Sequence, residues 1–314
     1  MNQPYSILLY YCYTPIEDPE AFREAHHRYC LAHKLRGRII IAQEGINGTI
    51  SGSSAACKAY MNDLKADARF AHTHFKVAAH HQHAFQKLNV RVKPEIVHAG
   101  LPHIAPHRKT GPYITPKGLQ RMQKGKDVVL LDVRSNYEHK LGRFKGAVTL
   151  DIDNFREFPK QVASLTSLKD KTIVTYCTGG VKCEKASAYL LEQGFQNVFQ
   201  LHGGIIQYGM DTDGAAFEGT CYVFDNRLAT PINKKNPTTI GACYVCQAAC
   251  ERMINCANPT CNRHTPICAP CTATLSGACS EACQQHPQKR HYDGTGYYAA
   301  QTNGYNPYKG ARRK

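Results

Sequence analysis

The chain has 314 residues, 42% hydrophobic and 20% charged, without tryptophan; one core rarely organises more than about 250 residues, so two or three domains are expected and disorder throughout is excluded. Lys and Arg number 39 against 24 Asp and Glu, leaving a net charge of +15, a balance that favours polyanionic partners and says nothing of fold. The apolar run Ser6 to Tyr13 lacks a basic lead-in and a small-residue cleavage site, and nowhere do about 18 apolar residues run together, so neither a secretion signal nor a membrane span is expected.

In chain order, an apolar run at Ile7 to Cys12 precedes a helical stretch from Pro19 to His33. Further runs at Gly37 to Ala42 and Ile46 to Ser51 flank a Gly-bearing corner. A second helix over Ala55 to Leu64 leads to strands at Thr73 to Ala78 and Leu88 to Ile96. The order is roughly β-α-β-β-α-β, which predicts a ferredoxin-like α+β domain over residues 1–100. Residues 101–114, with Pro102, Pro106, Pro112 and Gly111, read as a linker. Thr115 caps a helix with Pro116 at its first position. Asp127 to Arg134 and Lys171 to Cys177 have the form of buried parallel strands. With a helix over Cys183 to Gln193 and a strand over Asn197 to Leu201, residues 115–218 predict a doubly wound α/β domain. Residues 219–242 read as a connector, 243–284 as a cysteine-rich module, and 285–314 as a basic tail expected to be mostly disordered.

The 15 cysteines, in a chain without a secretory signal, point to a reducing compartment, the cytoplasm, where thiols serve metals or chemistry. Six are scattered: Cys12, Cys30, Cys57, Cys177, Cys183 and Cys221. The rest crowd one segment as Cys243-x2-Cys246-x3-Cys250, Cys256-x4-Cys261, Cys268-x2-Cys271 and Cys279-x3-Cys283. That segment has almost no aliphatic side chains, so no core is expected to form there. Paired short spacings suit tetrahedral zinc better than disulfides or an iron–sulfur cluster. Two four-thiol sites, about two zinc ions, leave one of the nine over, and His264 or His286 could replace a weak member.

Cys177 ends an apolar strand and opens Cys177-Thr178-Gly179-Gly180-Val181-Lys182-Cys183, after which a helix begins. Glycines let several N–H groups of such a loop turn toward one sulfur, and the following helix adds its positive end. The thiol is expected to have a lowered pKa and to be able to hold a persulfide. A Cys-x5-Arg phosphatase needs Arg where Cys183 stands, which argues against that class. Cys183 either resolves an oxidised Cys177 as a disulfide or simply packs. Asp132 and Arg134 are either support for the site or a brace between strand ends.

Other signals are weaker. His72, His74, His80, His81 and His83 lack carboxylates at a metal-binding spacing and read as surface, and His291-x-Asp293 lies in the tail. No dinucleotide, nucleotide triphosphate, flavin or iron motif is found. Lys87, Arg91, Lys93, Arg108, Lys109, Lys117 and Arg121 form a basic zone suited to nucleic acid.

Together with the Cys177 loop, Asp132-Val133-Arg134, Tyr137-Glu138, Gly142, Gly146-Ala147 and Leu201-x-Gly203-Gly204 resemble the rhodanese domain, whose Cys becomes a persulfide. The pattern departs at Arg143, where rhodaneses usually carry His, and at Tyr208, where many carry Trp. Adding Gln43-Glu44-Gly45-Ile46-Asn47-Gly48-Thr49-Ile50-Ser51-Gly52, Val223-Phe224-Asp225 and the nine-cysteine segment, residues 5–283 resemble the rhodanese-domain tRNA uridine hydroxylases. That resemblance implies oxygen-dependent conversion of the wobble uridine, position 34, to 5-hydroxyuridine. It also implies Cys177 as active-site residue, dioxygen as co-substrate and the tRNA anticodon arm as partner. The residues alone stop at a sulfurtransferase with a zinc module, or an RNA-binding scaffold, and set no oligomeric state.

Overall fold

The computed structural model describes residues 4–125, 128–296 and 298. Its first domain runs β1 (Tyr5–Tyr13), α1 (Pro19–Ala32), β2 (Arg36–Ala42), β3 (Gly45–Ser53), α2 (Ser54–Ala66), β4 (Lys76–His80) and β5 (Leu88–Val92). The sheet order β4-β1-β3-β2-β5 is that of a ferredoxin-like domain with one added edge strand, β5, parallel to β2. Alternation along the strands sends Leu8, Tyr10, Ile39, Ile41, Ile46 and Ile50 into a core closed by Cys57, Tyr60 and Leu64 of α2. The other face of this sheet is turned toward the second domain.

The second domain adds β6 (Tyr113–Ile114), α3 (Pro116–Met122), β7 (Val128–Asp132), α4 (Asn136–His139), β8 (Gly142–Phe144), β9 (Val148–Thr149) and α5 (Phe158–Gln161). It continues through β10 (Thr172–Tyr176), α6 (Val181–Glu192), β11 (Asn197–Leu201), α7 (Gly204–Thr212), β12 (Phe217–Tyr222) and β13 (Ala229–Pro231). A parallel sheet, β6-β11-β10-β7-β9, carries helices on both faces. Ile173 belongs to the core on one face and Val174 to that on the other, so this short apolar strand is buried on both sides. Thr115 caps α3, accepting from the Gly118 amide at 3.1 Å. Asp127, the first residue expected in β7, lies outside the described residues.

Two segments read as connections are part of this body. Between residues 100 and 112 the chain is irregular, yet Leu101 and Ile104 are buried in the α/β core. The segment after residue 218 forms β12 and β13, and β12 pairs with β8 beside the main sheet.

The last module holds β14 (Met253–Asn255), β15 (His264–Pro266), α8 (Ala269–Thr274) and α9 (Glu281–Gln284). A small core does form, with Ile254, Ile267 and Leu275 packed among the cysteines. The beginning of the tail is docked rather than loose. Arg290 donates to the Ala257 carbonyl at 3.1 Å and to Asn262 Oδ1 at 2.7 Å, and Tyr298 is buried. Residues 299–314 of the tail lie outside the described residues.

Candidate active site and metal centres

The Cys177 loop joins β10 to α6, and that helix begins at Val181, two residues earlier than expected, so Cys183 sits inside its first turn. Gly180 caps the helix at φ +103°, a left-handed conformation that only glycine adopts freely. This turns the Gly180 N–H onto Cys177 Sγ at 3.1 Å. Burial would push the Cys177 thiol up. The Cys183 thiol donating to its sulfur, the Lys182 charge and the amides of Lys182 and Gly180 outweigh burial and bring it down to about 6. Cys183 moves the opposite way, well above its ordinary value, because it is buried and bound to its anionic neighbour.

Glu138 anchors the loop from below. Its buried carboxylate accepts from Lys182 Nζ at 2.6 Å and from the Ser135 amide at 3.1 Å, with Thr178 Oγ1 at 3.4 Å. Asp132 and Arg134 are the brace. The fully buried guanidinium binds Asp132 at 2.9 and 2.6 Å and donates to the Gly142 carbonyl at 2.6 Å, tying the end of β7 to β8.

The loop is roofed by the first domain, a contribution no spacing in the sequence announced. Lys76 Nζ donates to the Gly179 carbonyl at 2.8 Å and Tyr13 Oη to the Val181 carbonyl at 3.2 Å. A Cβ on Gly179 would lie 2.9 Å from Leu9 Cδ2, and one on Gly180 would lie 2.9 Å from Tyr11 Oη, so the first domain packs directly on the loop backbone at both glycines. Polar groups lock the two domains together. Lys185 of α6 is buried between Glu44 at 2.8 Å and Glu95 at 2.6 Å. Glu184 accepts from Tyr11 at 2.9 Å and from Tyr113 at 2.6 Å. Glu44 and Asn47, conspicuous in the sequence without a reason, hold the 95–101 segment: Glu44 accepts from the Ile96 amide at 2.7 Å, and Asn47 donates to the Ile96 carbonyl at 3.0 Å.

Between the domains lies a cavity of about 800 Å³ that reaches Cys177, Thr178, Gly179, Val181 and Lys182. Tyr137 and the exposed Phe224 line it, and Arg38, Lys76, Lys93, Arg156, Arg227 and Lys234 stand around it. Of the basic zone read from the sequence only Lys93 is among them; the remaining cations are far apart in the chain and meet only through the fold. Such a space admits a single flat, partly apolar group while offering cations to an attached anion.

Eight cysteines form two quartets: Cys243, Cys246, Cys268 and Cys271, and Cys256, Cys261, Cys279 and Cys283. Within each, the sulfurs lie within 4.8 Å of one another. Cys246 and Cys268 are 3.7 Å apart, as are Cys261 and Cys279. Tetrahedral thiolates about 2.3 Å from a metal stand about 3.8 Å apart, so the donor sets fit a metal ion and are compatible with zinc. The pairs alternate along the chain, the first and third serving one site and the second and fourth the other. Cys250 belongs to neither quartet and is the thiol left over. His264 is not a ligand either: its Nδ1 bonds Asn255 Oδ1 at 2.7 Å and its ring packs edge-on against Tyr137 and Tyr222, seating the module beside the α/β domain. His286 instead faces Thr260.

A strand–loop–helix thiol of this kind, on a doubly wound sheet, defines a protein with a rhodanese-like domain, its loop here enclosed by a second domain. Residues 5–96 match the UPF0176 acylphosphatase-like domain, 115–210 the rhodanese-like domain and 218–284 the rhodanese C-terminal family. The chain is 58% identical to a tRNA uridine(34) hydroxylase of Cytophaga hutchinsonii over 98% of its own length and 99% of that protein's. Proteins of the same name from onion yellows phytoplasma and Bacillus cereus are 45% and 43% identical, each over 92% of this chain and over 96% and 92% of their own. The chain belongs to the tRNA uridine(34) hydroxylase family.

Proposed function

We propose that this protein hydroxylates C5 of the wobble uridine, position 34 of tRNA, using dioxygen, with Cys177 as the reacting thiol. The observation that carries the site assignment is an anionic sulfur at the end of a cation-rimmed cavity that is closed by two domains. The base enters that cavity unstacked from the anticodon loop while the surrounding Lys and Arg side chains hold the adjoining phosphates of the anticodon arm.

Replacing C5–H by C5–OH takes one oxygen atom from dioxygen; the other leaves as water and requires two electrons and two protons. Cys177 and Cys183, whose sulfurs interact across the start of the helix, supply the two electrons when they close into a disulfide; Cys183 gives one of the protons, solvent gives the other, and a cellular thiol then reopens the disulfide. Thr178, Gly179, Gly180, Val181 and Lys182 form the cradle that keeps Cys177 ionised. Each quartet of the last module holds one zinc ion, which organises that module against Tyr137 and Tyr222 and takes no part in the chemistry. Among the described residues no helix is long and apolar enough to cross a membrane, and we place the protein in the cytoplasm, where tRNA and reduced thiols meet.

Purified protein incubated with unmodified tRNA under heavy-isotope dioxygen, followed by digestion to nucleosides, is expected to yield 5-hydroxyuridine carrying one labelled oxygen. Uridine that gains sulfur instead, or that gains oxygen equally well with Cys177→Ser, overturns the assignment.

A further inference from the structure

The Gly180 amide donates to the Cys177 sulfur at 3.1 Å, and the Lys182 amide also favours its anion. Each is one end of a planar peptide unit whose carbonyl points the opposite way. The carbonyl partner of the Gly180 amide is Gly179 C=O, and that of the Lys182 amide is Val181 C=O. Both carbonyls are occupied by side chains of the first domain: Lys76 from β4 and Tyr13 from β1.

We propose that the first domain activates Cys177 at second hand, Lys76 and Tyr13 polarising the two peptide units whose N–H ends stabilise the thiolate. A donor on a carbonyl oxygen draws electron density along the unit and strengthens the hydrogen bond given by its N–H. Lys76 is 3% exposed, forms no ion pair among the described residues, and stacks its ammonium over the Tyr11 ring at 5.2 Å. A lysine buried only to hold two domains together would be expected to face a carboxylate, as Lys185 does. Lys76 is spent instead on one carbonyl of the catalytic loop. Tyr13 makes the same kind of contact without a charge, which separates polarisation through the peptide from the plain field of an ammonium. Both are positioning residues: they reach the reacting sulfur through the backbone.

The titratable groups around Cys177 are Lys182, Cys183 and Glu184 on the helix that follows it and Lys76, Tyr11 and Tyr13 on the first domain. Glu138 acts on it through Lys182, and Cys221 through Thr178 at 4.0 Å. The test is the pH profile of Cys177 alkylation by iodoacetamide in the full-length protein, read by mass spectrometry of the peptide that contains it; no tRNA is involved, so the result is independent of the hydroxylase reading. Tyr13→Phe is expected to raise the midpoint by roughly half a pH unit and Lys76→Met by about one, with Lys76→Arg close to wild type. Thermal melting checks that each variant is folded, and if Lys76→Met is not, Tyr13→Phe decides alone. A folded Tyr13→Phe with an unmoved midpoint overturns the proposal, whatever Lys76→Met does, because any remaining effect would then be the field of one charge.

Discussion

At Cys177, burial, a neighbouring thiol and two amides act together, and their balance predicts how the protein responds to pH. With the thiol near 6, the anion dominates at pH 7 and is lost as pH falls through that value. Alkylation of Cys177 is therefore expected to be nearly flat from pH 7 to 8 and to drop about fivefold between pH 6 and 5. A midpoint near 8.5, the value of a free thiol, would show that the cradle does not ionise it. Cys183, pushed up by burial and by that anion, stays protonated over the same range and keeps its proton available to the pair. This asymmetry was legible in the sequence only in part. The glycines and the helix start announced a favoured anion at Cys177, but the roles of Cys183, Asp132 and Arg134 depended on distances that spacing does not fix. Arg134 proved to be tied to Asp132 and Gly142 in the interior.

The element that carries this chemistry is the turn between β10 and α6, held from the side by the start of α7. The amides of Ile205 and Ile206 donate to the Cys177 and Thr178 carbonyls at 3.0 and 3.1 Å. Gly204 makes this possible: its φ is +67° and a Cβ there would stand 2.5 Å from the Cys177 carbonyl oxygen. Gly204→Ala is predicted to cost at least about 1–2 kcal/mol of stability from the backbone conformation alone. It should also slow Cys177 alkylation at pH 7 severalfold, because the loop must move to admit the methyl group. Denaturant unfolding and alkylation rates check the two parts separately. Strands such as β7 and β10 were readable because burial on both faces makes them continuous apolar runs. The short β8, β9, β12 and β13 were not, since two to six residues with Gly, Thr and Pro carry no period, and β8 finds its partner β12 more than 70 residues on in the chain. The 101–114 segment misled for a related reason: its prolines suppress regular structure without preventing Leu101 and Ile104 from being buried.

On the scale of the whole molecule, the cavity and its cations exist only when both domains are in place. Binding to tRNA is expected to weaken with salt, log affinity falling by roughly 0.7 to 0.9 per phosphate contact for each tenfold rise. Charge reversal at Arg38 or Lys234, on opposite domains, should each reduce the slope of that dependence; an unchanged slope in both would place the RNA elsewhere. The total charge of +15 suggested such a partner, but of the basic zone read from the sequence only Lys93 lies at the cavity, the other cations there being brought in by the fold.

The alternation of the two thiol quartets has a consequence in time as well as space. A growing chain delivers Cys243, Cys246, Cys256 and Cys261 first, and these belong to two different sites. Neither site can be completed until Cys268 and Cys271 follow, and the second waits for Cys283. During synthesis every molecule thus passes through a stage in which the only paired thiols on hand form a mismatched set, and a peptide ending at residue 262 is expected to bind one zinc ion through it. Failure of that peptide to bind zinc would remove the mismatch. If it binds, newborn protein must exchange ligands to mature, so a metal that swaps partners quickly gives the native weave, while one that holds its first partners would trap the chain half made.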